Sequence, residues 1–115
     1  MTNEILISLG GKAKANPNTI LLLKADINYT HIFLDDGTTI LSSTTLGILE
    51  KRLCQYPFFR PNRSVLVNLD YMIEFEMQSA SIKMGNNEIF RISRRRAKYF
   101  YSISKKSIPA ITDIL

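Results

Sequence analysis

The residues best equipped for chemistry in this sequence are arginines set in a stiff frame. In the run from Pro57 to Tyr71 (PFFRPNRSVLVNLDY), Phe58 and Phe59 are large apolar anchors that fix a loop base to a core. Pro61 locks its own φ and stiffens the backbone at the loop. Asn62, Arg63 and Ser64 then present three side chains able to hydrogen-bond outward. Val65–Val67 returns to a β-type apolar run, and Asn68 is placed to cap a short helical turn over Leu69–Tyr71. A guanidinium held this way at a loop tip suits bidentate recognition of guanine or phosphate. The plainer reading is a surface arginine paired with a carboxylate, which is commonplace.

A second cationic stretch, Ile92 to Phe100 (ISRRRAKYF), starts a helix expected to reach about Lys105. Ser93 is its N-cap, and Ala97, Phe100 and Tyr101 form its buried face. Arg94, Arg95 and Arg96 then stand at the positive end of the helix dipole, with Lys98 close behind, an arrangement unfavourable for folding. An incoming phosphate reverses that sign, because a helix N-terminus with arginines makes an anion site.

Other reactive side chains carry less. His31 has no second histidine or cysteine pair near it in sequence, so an ordinary hydrogen bond on a strand is expected and no metal site. Glu74 and Glu76 are neighbours on a strand face with no nucleophile beside them, and Cys54 is expected to extend a buried helix face as a packed thiol. No P-loop, glycine-rich dinucleotide turn or nucleophile elbow is present. The expectation is a protein without catalysis, cofactor or metal.

The elements that must position these side chains are mostly short strands. Ile5–Leu9 and Ile20–Leu23 read as strands, with a solvated loop at Lys12–Asn18 between them. Ile27–Leu34 and Thr38–Leu41 form a hairpin around Asp36-Gly37, setting Phe33 opposite Ile40 and Ile32 opposite Leu41. Both faces of that hairpin are apolar, which argues for stacked small sheets. Ser42–Thr45 offers caps for a helix over about 44–54 in which Leu46, Leu49 and Leu53 make an apolar stripe widened by Ile48. Ile73, Phe75 and Met77 alternate with the two glutamates as a half-buried strand, and Ala80–Met84 and Glu88–Ile92 are joined by a turn at Gly85-Asn86-Asn87.

With 115 residues, 45% of them hydrophobic, the chain is read as one domain able to bury a core without disulfides. A single cysteine fits a reducing compartment, and no apolar run approaches the roughly 18 residues of a membrane span. A cytoplasmic location is expected. The formal net charge is +5, but residues 1–50 carry three basic and five acidic side chains, whereas residues 51–115 carry twelve and five. Seven of those twelve fall between Arg91 and Lys106. Such a basic half suits a nucleic-acid partner, with an acidic protein or an anionic membrane as alternatives.

The helix at Leu46–Leu53, the run Phe58-Phe59-Arg60-Pro61-Asn62-Arg63-Ser64-Val65-Leu66-Val67-Asn68 and the late Ser93-Arg94-Arg95, in this order, resemble the LytTR family of bacterial DNA-binding domains, output modules of response regulators in two-component systems. The resemblance covers about residues 20–105, with 107–115 as a short tail. Asn62 stands where the family usually has histidine. The resemblance implies a mainly β fold, an elongated stack of small antiparallel sheets with short helices at about 44–54 and 94–105. It implies docking of loops into double-stranded DNA through Asn28 and Tyr29, Asn62 and Arg63, and Arg95 with its neighbours Ser93, Arg94, Arg96 and Lys98. Residues 28 and 29 come from the resemblance only. It also implies a sensor kinase or receiver protein acting in trans, since these 115 residues hold neither a receiver nor a membrane segment. The expected function is sequence-specific transcription regulation by a monomer that occupies paired half-sites. The rival is a protein-interaction module whose basic surface meets an acidic partner such as a receiver domain. RNA binding is disfavoured because most aromatics occupy core-like positions.

Overall fold

The structure is a computed structural model that describes residues 5–107, with side chains through Ser102. The tail expected at 107–115 lies, beyond Ser107, outside the described residues. Ten strands and two α-helices succeed one another: β1 (Ile7–Gly10), β2 (Ala13–Ala15), β3 (Ile20–Asp26), β4 (Tyr29–Leu34), β5 (Thr39–Ser42), α1 (Leu46–Arg52), β6 (Phe58–Asn62), β7 (Val65–Asn68), β8 (Met72–Glu76), β9 (Ser81–Met84), β10 (Ile89–Arg91) and α2 (Arg94–Ser107). Short 3₁₀ turns occupy Pro17–Thr19 and Leu69–Tyr71.

The strands form three antiparallel sheets: β1-β2, β10-β9-β8, and a central β5-β4-β3-β7-β6. Ile20–Leu23 of β3 is a continuous apolar run, and it is buried on both faces. Two core layers result. Leu23 and its cross-strand partner Leu66 pack with Leu46 and Leu49 of α1, with Leu53 at its C-cap and with Leu9 of β1. Leu22 and its partner Val67 pack on the opposite side with Phe75, Ile82 and Met84 of the three-stranded sheet and with Phe100 of α2. Phe100 meets the rings of Phe59 and Phe75 at 4.9 Å each, which fixes α2 against β6 and β8. Lys24 of β3 links the two larger sheets: its ammonium pairs with Glu88 and lies 5.1 Å from the Phe33 ring and 5.7 Å from the Phe90 ring.

Several expectations are corrected. The β4–β5 turn holds three residues, Asp35–Gly37, with Leu34 N bonded to Thr38 O and Gly37 at φ +92°. The register therefore shifts by one, placing Ile32 opposite Ile40 and Phe33 opposite Thr39. The Lys12–Asn18 segment is no plain loop; it contains β2 and the 3₁₀ turn that Asn16 caps from its side chain. Residues 58–62 form strand β6, an edge strand that tolerates Pro61. A bulge at Ile73 turns that side chain outward, to 55% exposure, although Phe75 is buried. α1 stops at Arg52, so Cys54 lies past the stripe and is exposed, and Ile48 faces solvent. The turn capped by Asn68 forms as expected. Its side-chain oxygen accepts from Asp70 N at 3.0 Å while its amide donates to Ile20 O at 2.9 Å.

Candidate nucleic-acid interface

A tight turn around Arg63 joins β6 to β7. Asn62 Oδ1 accepts the Ser64 backbone N–H at 2.9 Å, closing an Asx-type turn around Arg63. The Asn62 amide donates to the Arg91 carbonyl at 3.1 Å, so this one side chain joins the turn to the end of β10. Below it, Arg60 projects from β6 between two elements. Nη1 meets Glu50 of α1 at 2.9 Å, and Nη2 donates to the Arg63 carbonyl at 2.7 Å. The Arg63 side chain itself is exposed, and among the described residues nothing pairs with its guanidinium.

The β10–α2 corner is locked to the same strand. Ser93 N donates to Pro61 O at 2.8 Å, and Ser93 O accepts the first helical bond from Ala97 N at 2.9 Å, which puts Ser93 in the N-cap position. Arg94, Arg95 and Lys98 carry no ion pair to a described residue, and Arg94 and Arg95 are exposed. Arg96 differs. It is half-buried, and Nη1 donates to the Arg60 carbonyl at 3.1 Å, so one nitrogen of this expected phosphate ligand braces β6.

The third part is the β3–β4 hairpin tip. Asp26 pairs with Tyr29 across a two-residue turn of Ile27 and Asn28. Asn28 and Tyr29 are both exposed. Ala25 N donates to Ser64 O at 2.8 Å, which holds the root of this hairpin to the Arg63 turn. Ile27, Gly47, Arg63 and Ser64 line one shallow hollow between them. A second open groove is lined by Asn62, Arg91, Ser93 and Arg94. The β3–β4 turn at Asn28-Tyr29, the β6–β7 turn at Asn62-Arg63 and the start of α2 at Ser93–Lys98 are thus tied together by three backbone or side-chain bonds. His31, at the side of the hairpin, meets the Asp26 carboxylate at 3.1 Å. Among the described residues no three His, Cys, Asp or Glu side chains converge as a metal cage. No helix there is long and apolar enough to cross a membrane.

A family model described as the LytTr DNA-binding domain matches residues 12–105. The chain belongs to the LytTR family. Among solved structures, this LytTR domain is similar to the LytTr DNA-binding domain of a protein described as a putative methyl-accepting/DNA response regulator from Bacillus cereus. The two are 20% identical, with a TM-score of 0.72 over 88% of this chain and 97% of that one, which establishes the shared fold. A search of curated proteins finds no match to the chain.

Sequence reasoning does not single out Arg60 or Ile27. The signal for Arg60 is the alternation of β6, in which Phe59 and Pro61 face inward and Arg60 stands between them. A loop carries no such alternation, so reading the run as a loop hides it. The signal for Ile27 is an isoleucine in a two-residue turn ahead of Asn28, an unusual place for a β-branched side chain.

Proposed function

We propose that this LytTR domain is a sequence-specific regulator that binds double-stranded DNA by setting three loops into the grooves. Arg63 and Arg95 are the base readers, since each offers a planar fork with no partner among the described residues, able to take guanine O6 and N7 together. Arg94 and Lys98 hold phosphates at the start of α2, where the helix dipole adds to their charge. Arg96 contributes its charge to the same patch while bracing Arg60. Ser93, Asn62, Asn28 and Tyr29 fill the space between these cations with neutral donors and acceptors.

The observation that carries this reading is the coupling of cations without partners among the described residues to a hydrogen-bonded frame. The Arg63 turn and the α2 start share bonds through Pro61 O and Arg91 O, so their backbones keep a fixed separation. A pre-set constellation suits base reading, because little ordering is left for the moment of binding. Selection of bound duplexes from a random library tests the reading. One enriched motif is expected. Retention of duplexes without enrichment would indicate phosphate binding only, and no retention would favour the acidic-partner reading.

A further inference from the structure

Ile27 is the most exposed large apolar side chain among the described residues, at 90%, and its φ is +57°. Both features oppose folding. A β-branched residue in the left-handed region crowds its own backbone, and an exposed isoleucine gains nothing from burial. The first residue of a two-residue hairpin turn with positive φ is normally glycine, asparagine or aspartate. Asn28, which tolerates that conformation, is the next residue, yet of the two turn residues it is Ile27 that takes the positive φ. Neither turn chemistry nor core packing explains the isoleucine.

Its position does. Ile27 shares a hollow with Arg63 and Ser64 of the reading turn, and the Ala25–Ser64 backbone bond holds its hairpin there. We propose that Ile27 is a specificity-determining residue whose side chain takes up a thymine 5-methyl group in the major groove, beside the base that Arg63 reads. The inference rests on the loop-docking reading above. The thymine methyl is the apolar group that base edges present in the major groove, and a protein selects it by apolar contact. A projecting, branched side chain held rigidly by its own turn loses little freedom when it makes that contact.

The test uses the duplex selected from the random library, with Ile27→Gly, Ile27→Asn and, as a control on the site, Arg63→Ala. Both Ile27 variants are expected to raise the thermal midpoint, because the strain at φ +57° is relieved. They should also bind the selected duplex roughly fourfold more weakly, the factor for one methyl group's burial, with affinity for random duplex unchanged. Replacing each thymine by deoxyuridine in turn should reveal one position where the natural protein loses the same factor and Ile27→Gly loses nothing more. Unchanged affinity of the Ile27 variants, equal losses on selected and random DNA, or additive losses at every thymine would overturn the proposal. Equal losses of Arg63→Ala on selected and random duplex would instead make Arg63 a phosphate contact and overturn its part in base reading, on which the inference rests. A library that enriches nothing removes both.

Discussion

Arg63 and Arg60 are neighbours with opposite duties. Arg60 commits its donors inside the protein, to Glu50 and to the Arg63 carbonyl, and its Nε is buried without a partner among the described residues. Arg63 commits none of its guanidinium donors to a described residue. The inward arginine fixes the backbone from which the outward one extends, and the Asn62 side chain closes the turn from the other side. Arg63→Ala should therefore cost about 1–3 kcal/mol on the selected duplex and little on random DNA. Titrations against both duplexes would check this, and equal losses would make Arg63 a phosphate contact. Asn62 stands where histidine is usual in the family, and its two bonds give this side chain a structural use in joining the Arg63 turn to the end of β10.

At the level of elements, α2 begins with cations at the end of the dipole where they destabilise it. Arg94→Ala or Lys98→Ala should each lower the slope of log affinity against log salt by about one unit, equally on all sequences. Arg94→Ala should also raise stability by a few tenths of a kcal/mol in the absence of DNA. Unchanged salt slopes in both variants would place the cluster away from DNA. Elsewhere, Tyr71 straps two turns together, its hydroxyl 2.6 Å from Asn18 O and 2.8 Å from Asp35 Oδ2. Burial, with the Asp35 carboxylate as hydrogen-bond acceptor and neighbouring charge, pushes the phenol up to about 12 from 10.0. A raised folded value means that this contribution is fully present below pH 10 and is lost as pH rises toward 12. Unfolding midpoints of the natural protein and Tyr71→Phe should differ at neutral pH and converge across that window. A constant difference would assign the effect of the substitution to packing.

For the whole molecule, a single domain of this size contacts a limited length of DNA, so useful specificity calls for two copies side by side. We expect a monomer in free solution that pairs on DNA. The remaining candidate for a small association surface, the apolar Ser107–Leu115 tail, falls beyond Ser107 outside the described residues. Half-sites on one face of the duplex are separated by about 10–10.5 base pairs or a multiple. Inserting about five base pairs should move the second copy to the opposite face and abolish cooperativity. Sedimentation of a stable dimer without DNA, or cooperativity indifferent to the insertion, would point to a protein dimer instead.

The sequence by itself determined the local chemistry. The apolar run at Ile20–Leu23, the leucine spacing of α1, the Asn68 cap and the cationic start of α2 were legible because each depends on residues within a few positions of one another. Tertiary structure decided whatever depends on a partner distant in the chain. Cys54 and Ile48 are exposed because no described element covers them, and Ile73 turns out because β9 pairs with β8 around a bulge. The β4–β5 register moved by one because three turn residues, not two, close the hairpin. Arg60 turns inward because Glu50 lies ten residues earlier on α1, and Arg96 turns inward because the Arg60 carbonyl meets it from β6. Which arginines remain free for a partner is thus decided by contacts between elements, since a guanidinium's role depends on what its donors have already met.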